Sequence, residues 1–275
     1  MNSVFSPHLF EYNLRGRVKG LAIWFLSASC ALAFMVLLTS LIIKSGMPDF
    51  VGEMLTALPD ELSQNFKIDA LPSFGDYRVD LGLCLQALMI VGSVYACYLG
   101  ISSIKTSEDD GTLVFAYSQG LSRVCIVITH YIVCAVVLIL FNAGLFCLSM
   151  WIGLSNHVHE LLTIIMHSFI AMLIIELLYM AVGILISTFM KDITRCASTA
   201  MGVFLFTFFM GTLGYYTDSL SFLKILGPYH YYSPYMFSTL NAEFDTSRAV
   251  LTVLAAIIFV ALAALRLLRR DLIEE

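Results

Sequence analysis

Six long apolar runs punctuate the chain, separated by short polar turns and two longer mixed segments. They cover Leu21–Ile43, Leu81–Ile104, Val124–Leu154, Leu161–Met190, Cys196–Thr217 and Ala249–Leu265. None contains Lys, Arg or Asp, and only the fourth contains a Glu, Glu176. About 20 apolar residues rising ~1.5 Å each cross a hydrocarbon core of ~30 Å, so the first five are long enough. The sixth gains Leu267 and Leu268, with Arg266 snorkelling to the headgroups. The closely repeated ten-residue alternation of membrane strands is absent, and lipid leaves helices as the spanning solution. The pattern predicts an all-α polytopic membrane protein with six transmembrane helices, at about 21–43, 81–104, 124–154, 161–190, 196–217 and 249–268.

The flanks carry weaker periodicity. Leu9, Phe10, Leu14 and Val18 recur at helical spacing between Glu11, Arg15, Arg17 and Lys19, behind a first-turn Pro7. This predicts an N-terminal interfacial amphipathic helix in contact with lipid. The outer loop from Lys44 to Asp80 shows helical spacing at Phe50, Val51, Met54, Leu55, Leu58 and Leu62, read as surface helix, and is too short for a soluble domain. Asp218 to Arg248 is too broken to span and too apolar for a free loop. Short outer re-entrant helices before the last span satisfy both facts. Its tyrosines, from Tyr229 to Tyr235, read as an interfacial aromatic belt or an aromatic-lined exit. Gly92, Ala96 and Gly100, and again Ser198 and Gly202, form small-residue ladders for close helix packing.

Charge then orients the pattern. Of the 275 residues, 59% are hydrophobic and 13% charged, against roughly 25% charged in a soluble domain. With the N-terminus inside, ten of the 15 Lys and Arg fall in short inner segments, which satisfies the positive-inside rule and makes both termini cytoplasmic. The first run is too long for a cleaved signal peptide and ends in no small-residue cleavage site. The 7 cysteines lie in or beside apolar runs with no close metal-binding pair, and read as small buried hydrophobes.

Few residues offer chemistry. Glu176, near the middle of its span, must be neutral, hydrated or partnered; Tyr179, one turn along, is the expected local partner. His130 and His167 are also intramembrane, but the spacing puts the three at steps of about 10 Å, too long for a direct relay. Glu176, His130 and Tyr179 are candidates for a translocation path or for satisfied bundle residues. His157-Val158-His159-Glu160 is read as an ordinary polar turn, and no metal site is expected. No phosphate loop, nucleophile elbow or His-Glu-x-x-His pair occurs, so no catalytic residue is expected on this chain.

The most informative segment lies between the second and third runs. Glu108-Asp109-Asp110 precede Gly111-Thr112, as acids suit a helix start. A short helix to about Ser118 would offer Val114, Phe115 and Tyr117, then Gln119-Gly120-Leu121-Ser122 would turn the chain before Arg123 re-enters the membrane. Glu108, then Gly111-Thr112-Leu113, then Ser122-Arg123 resembles the acid–Gly-Thr-Leu–Ser-Arg signature of the type 2 ABC exporter permeases. Arg269-Arg270-Asp271-Leu272 resembles the Arg-Arg-Asp-Leu ending common among them. The family often has a proline before the Ser-Arg pair, whereas Gln119-Gly120-Leu121 stands here.

The resemblance implies that residues 1–275 form a single transmembrane permease domain with no nucleotide-binding domain. Glu108, Asp109, Gly111, Thr112, Leu113 and Arg123 would then couple to a separate ABC ATPase subunit that holds ATP and Mg. It also implies a second permease copy or paralogue as partner, and no nucleic acid. The cargo expected is hydrophobic or amphipathic, with a peptide or antibiotic favoured, and the location a bacterial cytoplasmic membrane. The alternatives from other classes are an ion-coupled secondary transporter using Glu176 and a non-transporting membrane scaffold or sensor subunit.

Overall fold

Each apolar run forms one unbroken α-helix, since a backbone without water must satisfy its polar groups internally. The computed structural model describes residues 6–45, 77–155, 161–190, 192–216 and 244–269, with Phe222, Leu223, 227–230, 232–234 and Phe237. The long helices are α1 (Pro7–Lys44), α2 (Tyr77–Asp109), α4 (Arg123–Ser155), α5 (Leu161–Phe189), α6 (Ile193–Tyr216) and α7 (Thr246–Arg269). A short helix, α3 (Thr112–Ser118), joins α2 to α4. All six long helices are apolar enough to cross a membrane, and no strand occurs among the described residues.

Two helices outrun their apolar runs. α2 continues past Ile104 to Asp109, so the first acids of the signature close a helix instead of opening one. α1 begins at Pro7, which makes the N-terminal amphipathic stretch the first turns of the first span and not a separate helix. Tertiary contacts hold it there. Leu9 and Asn13 are buried, the Ser6 amide donates to Thr129 Oγ1 of α4 at 3.4 Å, and Arg17 donates to Ser102 Oγ of α2 at 3.1 Å. The exposed Arg15–Glu11 pair at 2.5 Å adds only a few tenths of a kcal/mol at this i,i+4 spacing.

α5 is the hub, packed against α2, α4, α6 and α7. Its approach to α2 is the closest, and the glycine ladder is the reason. A Cβ on Gly100 would lie 2.3 Å from the Met180 carbonyl oxygen, and one on Gly183 would lie 2.3 Å from that of Cys97. Backbones in van der Waals contact hold helices together where lipid removes the hydrophobic drive. The first ladder is therefore an internal surface of one copy. The second differs: Ser198 and Gly202 on α6 are exposed, and a Cβ on Gly202 would meet nothing.

Between α6 and α7 the structure corrects the reading of the tyrosines. Tyr229, in the 3-10 turn Pro228–His230, is 1% exposed among Tyr179, Phe204 and Phe208, and its hydroxyl donates to the Met89 carbonyl at 3.3 Å. Tyr232 is equally buried, with its hydroxyl 3.3 Å from Thr252 Oγ1 of α7. These two rings therefore pack inside the bundle and form no belt. A buried ring with a partnered hydroxyl gains more contact than one at the interface. Gly227 permits the fit, since a Cβ there would stand 2.2 Å from the Gly211 Cα. Tyr231, Tyr235, most of the expected re-entrant segment, the outer-loop helix and the His157–Glu160 turn lie outside the described residues.

The N-terminal end of α1, the C-terminal end of α2, α3, the start of α4 and the end of α7 gather at one end of the bundle.

Candidate functional site

The turn that carries α3 is built from three local devices. Gly111 adopts φ 69°, ψ 1°, the left-handed conformation that glycine enters without a Cβ penalty. Its amide donates to the Glu108 carbonyl at 3.1 Å as α2 ends, and its own carbonyl accepts the first bond of α3, from Phe115 N at 3.1 Å. One residue thus ends one helix and starts the next. At the far end, Gly120 (φ 76°) donates to the Tyr117 carbonyl at 2.9 Å and Leu121 to that of Ala116 at 3.3 Å, a Schellman termination. The turn expected at Gln119-Gly120-Leu121 therefore closes without a proline. Ser122 then caps α4, its Oγ accepting from Cys125 N at 3.1 Å.

Glu108 and Arg123 of the signature are turned toward the bundle, while Asp109 is exposed. Glu108 Oε2 accepts from Lys105 Nζ at 2.6 Å, and Lys105 is wholly buried, so the acid supplies the charge that a buried ammonium requires. No acid lies in the first turn of α3, and no side chain caps it; Glu108 and Asp109 belong to α2. Arg123 donates from Nη1 to the Leu267 and Leu268 carbonyls of α7 at 2.6 and 3.2 Å. Those carbonyls belong to the last turn of a helix, where they lack intrahelical partners and carry the negative end of its dipole. The guanidinium also lies 5.4 Å from the Tyr117 ring centroid, so one side chain ties α3, α4 and α7 together.

What α3 presents outward is apolar. Leu113 and Ala116 are buried and anchor it, while Val114 and Phe115 are 61% and 65% exposed. Beside it, a cleft of about 820 Å³ opens between His8, Leu9 and Tyr12 of α1 and Gly111, Thr112 and Phe115. Val114 and Phe115 thus form an exposed apolar pair on a short helix terminated at both ends. Thr112 lines the cleft.

The second constellation lies in mid-bundle. Glu176 of α5 is 0% exposed; Asn142 Nδ2 of α4 donates to its Oε2 and also to the Leu138 carbonyl at 3.0 Å. On α2, Gly92 makes room for the carboxyl, since a Cβ there would lie 2.1 Å from Oε1. Three spans meet at this joint. The expected partner Tyr179 is turned away, its hydroxyl 2.7 Å from Thr207 Oγ1 of α6. The hydropathy pattern does not single out Asn142; its one signal in the sequence is an amide deep inside an otherwise apolar run. His130 is also buried, but stands twelve residues from Asn142 along α4, ~18 Å away, and no hydrogen bond joins it to Glu176. His167 stacks on Phe244 at 6.1 Å between ring centroids.

Comparison with curated proteins returns no match. A family model described as ABC-2 family transporter protein matches residues 9–272, nearly the whole chain. With six apolar spans and the α2–α3–α4 signature in place, the chain belongs to the ABC-2 transporter family and is a multi-pass permease subunit of an ABC transporter.

Proposed function

We propose that this chain forms the translocation path of an ABC exporter and takes its drive from a separate ATPase subunit that docks on α3. The observation that carries the reading is the exposed Val114–Phe115 pair on a helix clamped at both ends, at the mouth of the α1–α3 cleft. A push on α3 would pass to α7 through Arg123 and to α2 through Gly111, the two rigid junctions that flank it. ATP and Mg²⁺ would bind the partner ATPase, and a second permease copy or paralogue would complete the path. The exposed Ser198 and Gly202 of α6, with Met201, Phe206 and Phe209 beside them, suit a neighbouring helix or an apolar cargo. A hydrophobic or amphipathic peptide or antibiotic is the cargo class in keeping with such walls.

The test is ATPase activity of the permease co-expressed with an ABC ATPase subunit from the same genome, in the native form and as Val114→Asp/Phe115→Asp. Both side chains are exposed, so the bundle should stay intact while the ATPase no longer co-purifies. Normal co-purification and stimulated hydrolysis in the variant would sink the docking reading. If no ATPase associates even with the native chain, neutralising Glu176 becomes the deciding measurement for ion coupling.

A further inference from the structure

A second cleft, of about 600 Å³, separates α1 from α2 and is open because two glycines leave it so. Gly16, Arg17, Gly20 and Trp24 fall at helical spacing on one face of α1, opposite Tyr95 and Ser102 of α2. A Cβ on Gly16 or Gly20 would meet nothing within 4 Å. The contrast with Gly92 and Gly100, whose missing side chains let helices touch, is complete: here the helices stay apart. Trp24 forms one wall, its ring 4.9 Å from that of buried Tyr95.

Arg17 gives the cleft its chemistry. Its Nη1 reaches Ser102 Oγ, and its Nε is buried without an acceptor. Tyr95, His130 and Cys134 lie within its electrostatic reach, and none of the three is a carboxylate. Two other charged residues line the cleft: Arg15, already paired with Glu11 at 2.5 Å, and Asp110, with no ion pair to Arg17 among the described residues. A guanidinium at the edge of a membrane span demands a counter-charge, and its fork of donors fits phosphate oxygens. Seven residues along α1, ~10 Å deeper, Trp24 is flanked by Ile23 and Leu26, exposed at 69% and 66%, apolar surface that acyl chains cover. A phosphate at Arg17 with a chain beside Trp24 matches an anionic lipid from head to tail, and basic pockets between membrane helices hold such headgroups.

We propose that the α1–α2 cleft is a binding site for an anionic phospholipid, with Arg17 as the phosphate ligand and Gly16 and Gly20 providing the space. The cleft shares Tyr12, Asp110 and Thr112 with the α1–α3 cleft, and its test reads lipid binding directly, with neither transport nor an ATPase present. The chain has 2 tryptophans, and Trp151 is 72% exposed, so Trp151→Phe leaves Trp24 as reporter. The full chain is reconstituted in phosphatidylcholine vesicles with rising fractions of chain-brominated phosphatidylglycerol or chain-brominated phosphatidylcholine, and Trp24 quenching is followed. The expected result is half-maximal quenching at about fivefold lower phosphatidylglycerol, the ratio that one basic contact of ~1 kcal/mol supports. Arg17→Gln should abolish that preference, and Arg17→Lys should keep part of it. Gly20→Leu should fill the cleft and weaken quenching by both lipids. Lys19→Gln removes the same charge two residues along α1, outside the cleft lining, and should leave the preference intact.

Equal quenching by the two lipids would overturn the proposal. So would a preference that survives both Arg17→Gln and Gly20→Leu, or one that Lys19→Gln abolishes equally, since either marks surface attraction only. A Trp24 response to millimolar inorganic phosphate in pure phosphatidylcholine, with displacement of phosphatidylglycerol, would make the ligand a free anion and overturn the lipid assignment.

Discussion

The α2–α3–α4 turn and the Glu176 joint are both polar constructions in an apolar protein, yet they are held by different physics. The turn is local: two left-handed glycines, a serine cap and an i,i+3 ion pair shape it within 16 consecutive residues from Glu108 to Arg123 and their immediate neighbour Lys105. Arg123 reaches across the fold, to α7. The joint is wholly non-local. Gly92, Asn142 and Glu176 come from three helices and have no meaning until those helices pack. A local device can be perturbed piecemeal, whereas a joint between spans must fail together.

That difference orders the expected effects. Gly100→Ala drives a Cβ against the Met180 carbonyl in the seam beside the joint and should cost about 3 kcal/mol or more, read as early thermal unfolding in detergent. Gly202→Ala, into open space, is the control and should leave the midpoint unchanged. Next, Asn142→Leu should cost ~1–3 kcal/mol by leaving the buried Glu176 without its donor. Adding Glu176→Leu should return part of that loss; strict additivity in the double-mutant cycle would show that the two side chains act separately.

The turn should respond more mildly. Arg123→Ala removes the donor to the last α7 carbonyls and should cost ~1–2 kcal/mol, concentrated as faster hydrogen exchange over residues 262–269, with Arg123→Lys intermediate. Uniform exchange along α7 would mean that the guanidinium braces nothing. Gly111→Ala should cost ~1 kcal/mol of backbone strain while ATPase association weakens more than stability, because the tilt of α3 depends on that residue. The exposed Val114 and Phe115 anchor the small end of the scale: replacing them should move stability by no more than ~0.5 kcal/mol.

Much of the molecule follows from the amino-acid sequence alone. Run length and the energetic penalty of bare backbone in lipid dictate six spanning helices, and the short α3 between two of them is visible because Gly111 and Gly120 bracket it. The signature residues and their order identify the family for the same reason, since their devices are local. What only the tertiary structure decides is the destination of each side chain. Arg123 is directed to α7, Glu176 to Asn142 and not to the nearby Tyr179, and Tyr229 into the core and not toward lipid. In a membrane helix almost every face is apolar, so hydropathy does not distinguish a face that meets lipid from one that meets protein. The distinction comes from where small residues let backbones touch and where a polar group finds its partner, and both depend on helices far apart in the chain.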